Sequence, residues 1–263
     1  MKSKTALITG GATGLGEKTA WQLAQQGYQV AINYRNSKNE AILLSQELER
    51  KFGNKIICIQ GDVANQPDCA QIVNQTISEF GSIDVVIHNA GPYVRERKKM
   101  TEYSIDEWNY IINGNLNAVF YLSREIIPSM RKQHWGRIIT MGFDRVDTAP
   151  GWVYRSAFSA AKTALASLTK TIAIEEANFG ITANMVCPGD IISHWKEKSI
   201  DESIPTETVP VGRVGTGEDI SRVIAFLIDE KSDFITGSII SVTGGMDVLG
   251  KAYTQARLPD PTK

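Results

Sequence analysis

Eight residues near the N-terminus, Thr9-Gly10-Gly11-Ala12-Thr13-Gly14-Leu15-Gly16, have the types and spacing to hold a phosphate. An apolar run, Ala6-Leu7-Ile8, precedes them, and a helix-like segment over residues 17–26 follows. A strand that stops in glycines and restarts as a helix leaves free backbone N–H groups at the positive end of the helix dipole, and these suit a pyrophosphate. Glycine is needed because a Cβ would hold the phosphates off the backbone or forbid the turn. The spacing is Gly-x-x-x-Gly-x-Gly rather than the common dinucleotide Gly-x-Gly-x-x-Gly, so alone it also fits a glycine turn with no ligand.

The rest of the composition narrows the setting. A chain of 263 residues holds one large α/β domain or two smaller ones. With 42% hydrophobic residues and a net charge of −1, it fits a globular protein with a full core and has no basic excess to neutralise nucleic acid or an anionic membrane. No apolar run approaches the roughly 20 residues of a membrane helix. Met1-Lys2-Ser3-Lys4 leads straight to a strand without a signal-peptide core, and Cys58, Cys69 and Cys187 are too scattered for a disulfide framework or zinc knuckle. The expectation is a reduced, cytoplasmic protein.

The elements that must position the glycine loop follow in strict alternation. Apolar runs end near Thr9, at Tyr34, at Ile59 and at Ile87, and helical patterns separate them. The helix over residues 38–52 has Ser37 as its expected cap and stops at Gly53; the helix over residues 67–80 stops at Gly81. One long helix over residues 105–133 precedes the strand Arg137-Ile138-Ile139-Thr140, and a second over residues 154–178 precedes residues 182–186. A helix over residues 218–229 and the run Ile239-Ile240-Ser241-Val242 close the pattern. The spacing predicts a Rossmann-type, doubly wound parallel α/β sheet of about seven strands in three layers, order 3-2-1-4-5-6-7. Residues 1–250 read as one such domain and residues 251–263, with Pro259 and Pro261, as a loosely held tail. Residues 189–216, aperiodic and holding Pro205 and Pro210, read as a mobile loop or lid.

Nearly the whole chain, to about Asp247, resembles the classical short-chain dehydrogenase/reductases, with the overall flavour of the 3-oxoacyl-(acyl-carrier-protein) reductases. Thr9, Gly10, Gly14 and Gly16 fit the family's Thr-Gly-x-x-x-Gly-x-Gly loop, to which Thr13 and Leu15 belong. Asp62-Val63 is similar to the adenine contact after the third strand, and Asn89-Ala90-Gly91 to the motif after the fourth, with His88 in place of the usual first Asn. Asn115 and Lys162 stand at two positions of the family's catalytic tetrad, and Pro188-Gly189, with Ile191 and Ser193, resembles the stretch beside the nicotinamide. The resemblance implies a nicotinamide cofactor, a small-molecule or acyl-thioester carbonyl substrate, and a homotetramer or homodimer built on the two long central helices.

The cofactor type has a physical argument. In dinucleotide folds an acid ending the second strand binds the ribose 2′-hydroxyl, whereas an Arg there accepts a 2′-phosphate. This chain has Tyr34-Arg35 and no acid before Glu40. A guanidinium pairs two hydrogen bonds with a phosphate, so NADP(H) is expected, a solvated surface Arg being the plain alternative.

The catalytic positions depart from the pattern. Reduction of a ketone needs a proton donor as the oxygen becomes an alkoxide. The family's Tyr position is Phe158 in Phe158-Ser159-Ala160-Ala161-Lys162, and its Ser position falls on Phe143, with the interval two residues longer than usual. Three explanations are open. Another residue supplies the proton: Tyr154, one turn before Phe158 on nearly the same helical face but about 6 Å away along the axis, or Asp144 or Asp147 if buried enough to stay protonated. Alternatively, the chain binds NADP(H) without catalysis, as a sensor or structural subunit. Otherwise the acceptor is conjugated or already cationic and needs no acid there. Trp152, Tyr154, Phe143 and Phe158 make either an apolar, aromatic cleft or ordinary core. His88 and His134 read as packing or surface residues, His194 and Trp195 as lid residues, Cys187 as a small buried hydrophobe, and a solvated side chain is the plain alternative for Lys162.

Overall fold

The computed structural model describes residues 3–93 and 95–250; the expected tail at residues 251–263 lies outside them. Seven strands, β1 (Thr5–Ile8), β2 (Gln29–Tyr34), β3 (Ile56–Gln60), β4 (Val85–His88), β5 (Gly136–Met141), β6 (Ile181–Pro188) and β7 (Ile239–Val242), form one sheet in the order β3-β2-β1-β4-β5-β6-β7. Every pairing is parallel. Parallel strands covered on both faces are mostly apolar, and β1 and β5 are buried at every residue, Arg137 and the threonines included.

The alternation of side chains along the strands divides the core into two layers. Ala6, Ile8, Val30, Ile32, Val85 and Ile87 face α1 (Gly14–Gln25), α2 (Lys38–Phe52) and, on the same face beside α1, α7 (Gly217–Ile228), whose Leu23, Leu48 and Ile224 complete that layer. Leu7, Ala31, Val86 and Ile138 face the other way, against Ile72 of α3 (Gln66–Phe80) and Ile126 and Ile172 of the central helices.

Local chemistry sets most of the ends. Gly53 and Gly81 end α2 and α3 in the left-handed conformation, φ 75° and 87°. Asn65 caps α3 by accepting the Asp68 N–H. Ser37 stands at the cap position of α2, but its side chain makes no capping hydrogen bond.

Two expected helices are corrected. The run over residues 105–133 is α4 (Ile105–Ile112), a π-turn (Asn113–Asn117) and α5 (Ala118–Gln133). The second central helix, α6 (Ser156–Glu176), begins two residues later than the periodicity predicts, because Tyr154 has φ 64° and cannot continue a right-handed helix. Tyr154 is therefore not one helical turn from Phe158. The loop after β6 is not featureless: it holds 3-10 turns at Ser193–Glu197 and Ile200–Glu202 and a bridge between Pro205 and Arg213.

Candidate cofactor and active site

The glycine loop joins β1 to α1 where the strand order reverses, the position at which doubly wound sheets bind ligands. A Cβ on Gly16 would lie 2.3 Å from the Gly10 carbonyl oxygen and 2.7 Å from the Asn89 amide nitrogen, so no other residue fits. Gly10 and Gly14 have φ 59° and 62°. The loop is held from β4: Asn89 Nδ2 donates to the Thr9 and Gly10 carbonyls (3.0 and 2.9 Å), and the Ala90 N–H donates to Thr9 Oγ1 (3.0 Å). Asn89-Ala90-Gly91 thus fixes a loop 80 residues earlier in the chain.

A carboxylate already sits at the first turn of α1. The Gly14 N–H donates to Glu197 Oε1 at 2.9 Å, and the Lys196 stem packs 3.6 Å from where a Gly14 Cβ would stand. The 193–202 segment is clamped further by Lys18 Nζ to Ser199 Oγ (2.6 Å) and by the Ile200 N–H to Glu218 (2.7 Å). Nearby, burial first and Glu197 second push the Glu17 carboxyl up to about 7.

The far end of the crevice gathers Arg35, Asp62 and Val63 at the ends of β2 and β3. Arg35 Nη1 is 3.6 Å from Asp62 Oδ2, and its guanidinium lies 5.6 Å from the Tyr110 ring centroid. Arg35 is half exposed, so its fork is open to solvent, while Val63 is buried. On the other side of the switch point, Pro188 ends β6, and a Cβ on Gly189 would come within 2.8 Å of Thr243 Cα. Ile191 is buried; Ser193 is exposed, with φ 48°.

Asn115 and Lys162 meet between these ends. Asn115 lies in the π-turn, whose wider winding lets its Nδ2 reach both the Ile111 carbonyl (2.9 Å) and the Pro92 carbonyl (2.8 Å). Its Oδ1 is buried without a hydrogen-bond partner among the described residues. A Cβ on Gly91 would lie 2.3 Å from that oxygen and 3.6 Å from Lys162 Nζ. Lys162 is 4% exposed, and burial pushes its ammonium down to about 8, with Cys187 acting weakly the other way. Burial likewise holds the Cys187 thiol up to about 12 and, with Lys162 adding, the His88 imidazole down to about 3. His88 is a neutral, packed side chain whose Nε2 pairs with Ser123 Oγ at 3.3 Å.

Phe143 and Phe158 face each other above this pair, with ring centroids 6.3 Å apart. Trp152 touches both, at 5.0 and 6.0 Å, and Lys162 Nζ lies 5.6 Å from the Phe158 centroid. Asp144 is buried, but its oxygens are engaged by Ser241 Oγ (3.4 Å) and the Val248 N–H (3.3 Å); Asp147 is exposed. The ring seated on Phe158 is that of Tyr93, edge-on at 5.1 Å, a residue the sequence reading passed over although it lies two positions after Gly91. Arg155, also passed over, donates Nε–H to the Tyr93 hydroxyl oxygen at 2.7 Å. His134 and His194 lie on the surface.

An all-parallel sheet in this order, with a glycine loop at the reversal and an Asn–Lys pair beside it, is a Rossmann-type dinucleotide fold. The chain belongs to the short-chain dehydrogenase/reductase family of oxidoreductases. A family model described as enoyl-(acyl carrier protein) reductase matches residues 10–247. A Bacillus subtilis protein named putative oxidoreductase YtkK is 52% identical over 95% of this chain and 98% of its own. The 3-oxoacyl-(acyl-carrier-protein) reductase FabG of Staphylococcus epidermidis is 36% identical over 93% of this chain and 99% of its own. A solved blue fluorescent protein from a metagenomic library, in complex with NADPH, superimposes with a TM-score of 0.81 at 32% identity, covering 93% of this chain and 98% of that one.

Proposed function

We propose that this chain is an NADP(H)-dependent reductase of small-molecule or acyl-thioester carbonyl compounds whose proton donor is displaced from the family's Tyr position. The observation that carries the reading is the polar pocket kept inside an aromatic cleft. Lys162 is buried beside Asn115 Oδ1, which has no partner among the described residues, and Gly91 leaves room for nothing larger. Buried polar groups left unpaired are costly, and they persist where a bound group completes them.

The residues fit the cofactor. The backbone of Gly10, Thr13, Gly14, Leu15 and Gly16 would hold the pyrophosphate and Arg35 the 2′-phosphate, with Asp62 and Val63 at the adenine. Asn89, Ala90, Gly91, Lys162, Pro188, Gly189, Ile191 and Ser193 would hold the nicotinamide half. Bound there, the reduced cofactor supplies a hydride. The chain's own part is to exclude water with Phe143, Trp152 and Phe158, to orient the carbonyl and to give its oxygen a proton. The relative named for 3-oxoacyl-(acyl-carrier-protein) reduction supports an acyl-thioester substrate.

Phe143 and Phe158, in mutual ring contact where the family has Ser and Tyr, favour a second reading, an NADP(H)-binding sensor or structural subunit without turnover. Turnover separates the two. Carbonyl substrates, 3-oxoacyl thioesters among them, should be reduced with NADPH, and more slowly by Lys162→Ala; no reduction by the wild type selects the second reading. The cofactor is tested by titration, where Arg35→Ala should weaken NADPH at least tenfold and leave NADH unchanged. We further propose that residues 1–250 act as one unit and that copies associate through the central helices. The outer face of α6, with Ala160, Thr163, Ala164 and Ser167, lines an open groove of about 840 Å³, which supports this association.

A further inference from the structure

We propose that Tyr93 is the proton donor of this site, oriented by Arg155; this rests on the reductase reading above. Phe158 closes the family's position with a ring that has no proton to give, and Tyr93 is the phenol packed on that ring, centroids 5.1 Å apart at 89°. Its backbone is anchored at the site as well, because the preceding residue, Pro92, gives its carbonyl to Asn115 Nδ2 at 2.8 Å.

The hydrogen bonds decide which phenol is available. Arginine is a donor only, so in the 2.7 Å contact the Tyr93 oxygen accepts from Arg155 Nε–H and keeps its own proton free. The same guanidinium donates to the carbonyls of Glu96 (2.8 Å), Tyr154 (2.9 Å) and Arg95 (3.2 Å), which ties the segment after Tyr93 to the start of α6. Tyr103, another phenol close by, spends its proton on the Tyr154 carbonyl at 3.1 Å, and Tyr154 itself stands outside α6 on a φ of 64°, off the helix that carries Phe158. Asp144 is engaged elsewhere, by Ser241 and Val248.

The step balances. A hydride adds to the carbonyl carbon, and the C=O π pair moves onto oxygen. The Tyr93 O–H bond breaks and its proton bonds to that oxygen, giving the alcohol; the dihydronicotinamide is oxidised and the carbonyl reduced. The pair from the O–H bond stays on the Tyr93 oxygen beside the Arg155 guanidinium, and solvent returns the proton, for which the 46% exposure of Tyr93 leaves an open path.

The test compares wild type, Tyr93→Phe and Arg155→Lys on one NADPH-dependent carbonyl substrate, with NADPH affinity measured separately by fluorescence titration. In Tyr93→Phe, kcat should fall about 100-fold while NADPH affinity stays within twofold. Arg155→Lys should lower kcat less than Tyr93→Phe does. Tyr93→Phe keeping kcat within threefold overturns the proposal and leaves the reductase reading standing. A wild-type protein that binds NADPH and reduces no carbonyl overturns both.

Discussion

Glu197 Oε1 accepts the backbone N–H of Gly14 at 2.9 Å across 183 residues of sequence, placing a carboxylate at the positive end of α1. A dinucleotide pyrophosphate needs the same helix end. Glu197→Gln should therefore tighten NADPH binding several-fold by removing a like charge, with no change in melting temperature beyond a few degrees. Equal NADPH titrations for variant and wild type would show that the carboxylate does not compete.

Glu17, under the same turn, carries a pH-dependent cost. Its carboxyl is raised from 4.5 to about 7 by burial and by Glu197, so the folded state holds the proton more tightly than the unfolded one. That contribution to stability is full below pH 4.5 and is lost as pH rises through 7. Glu17→Gln should raise the melting temperature at pH 8 and change it little near pH 4.5; a gain of the same size at both pH values would refute the assignment.

Lys162 pairs a functional position with a destabilising one. Burial lowers its ammonium from 10.5 to about 8, so the folded state sheds the proton more readily than the unfolded chain. The cost is present in full below pH 8 and disappears as pH rises to 10.5. Lys162→Met, similar in length and uncharged, should stabilise the protein at pH 7 by up to about 3 kcal/mol while weakening NADPH binding. The gain in melting temperature should shrink across pH 8–10.5, and one that is flat with pH would contradict this account.

Gly91 tests the polar pocket. Its missing Cβ would stand 2.3 Å from Asn115 Oδ1, which Asn115 cannot vacate without giving up its bonds to Pro92 and Ile111. Gly91→Ala should weaken NADPH at least tenfold, and calorimetry should show a melting temperature lowered by several degrees. A variant with wild-type affinity would mean that the pocket is not where the cofactor sits.

The sheet and most of its helix boundaries were legible in the sequence because each depends on short-range chemistry. Buried parallel strands read as near-continuous apolar runs, such as Val85-Val86-Ile87, and glycines such as Gly53 and Gly81 stop helices through their own φ. The glycine loop was legible for the same reason, since its residues act through their backbone. Where helical pattern and local conformation disagree, periodicity misleads: residues 105–133 look uniform in sequence, yet the winding widens at Asn113–Asn117 to seat Asn115, and Tyr154 falls outside α6 on a positive φ.

By itself, then, the amino-acid sequence determined the doubly wound architecture, the glycine turn after its first strand and the phenylalanines at positions 143 and 158, all matters of residue type at a given place in the chain. Only the tertiary structure decided what stands around those rings. Tyr93 on Phe158, Arg155 on Tyr93 and Glu197 on Gly14 are contacts across 62 to 183 residues, fixed by how loops from different strands converge at one end of the sheet, and no periodic pattern encodes such pairings.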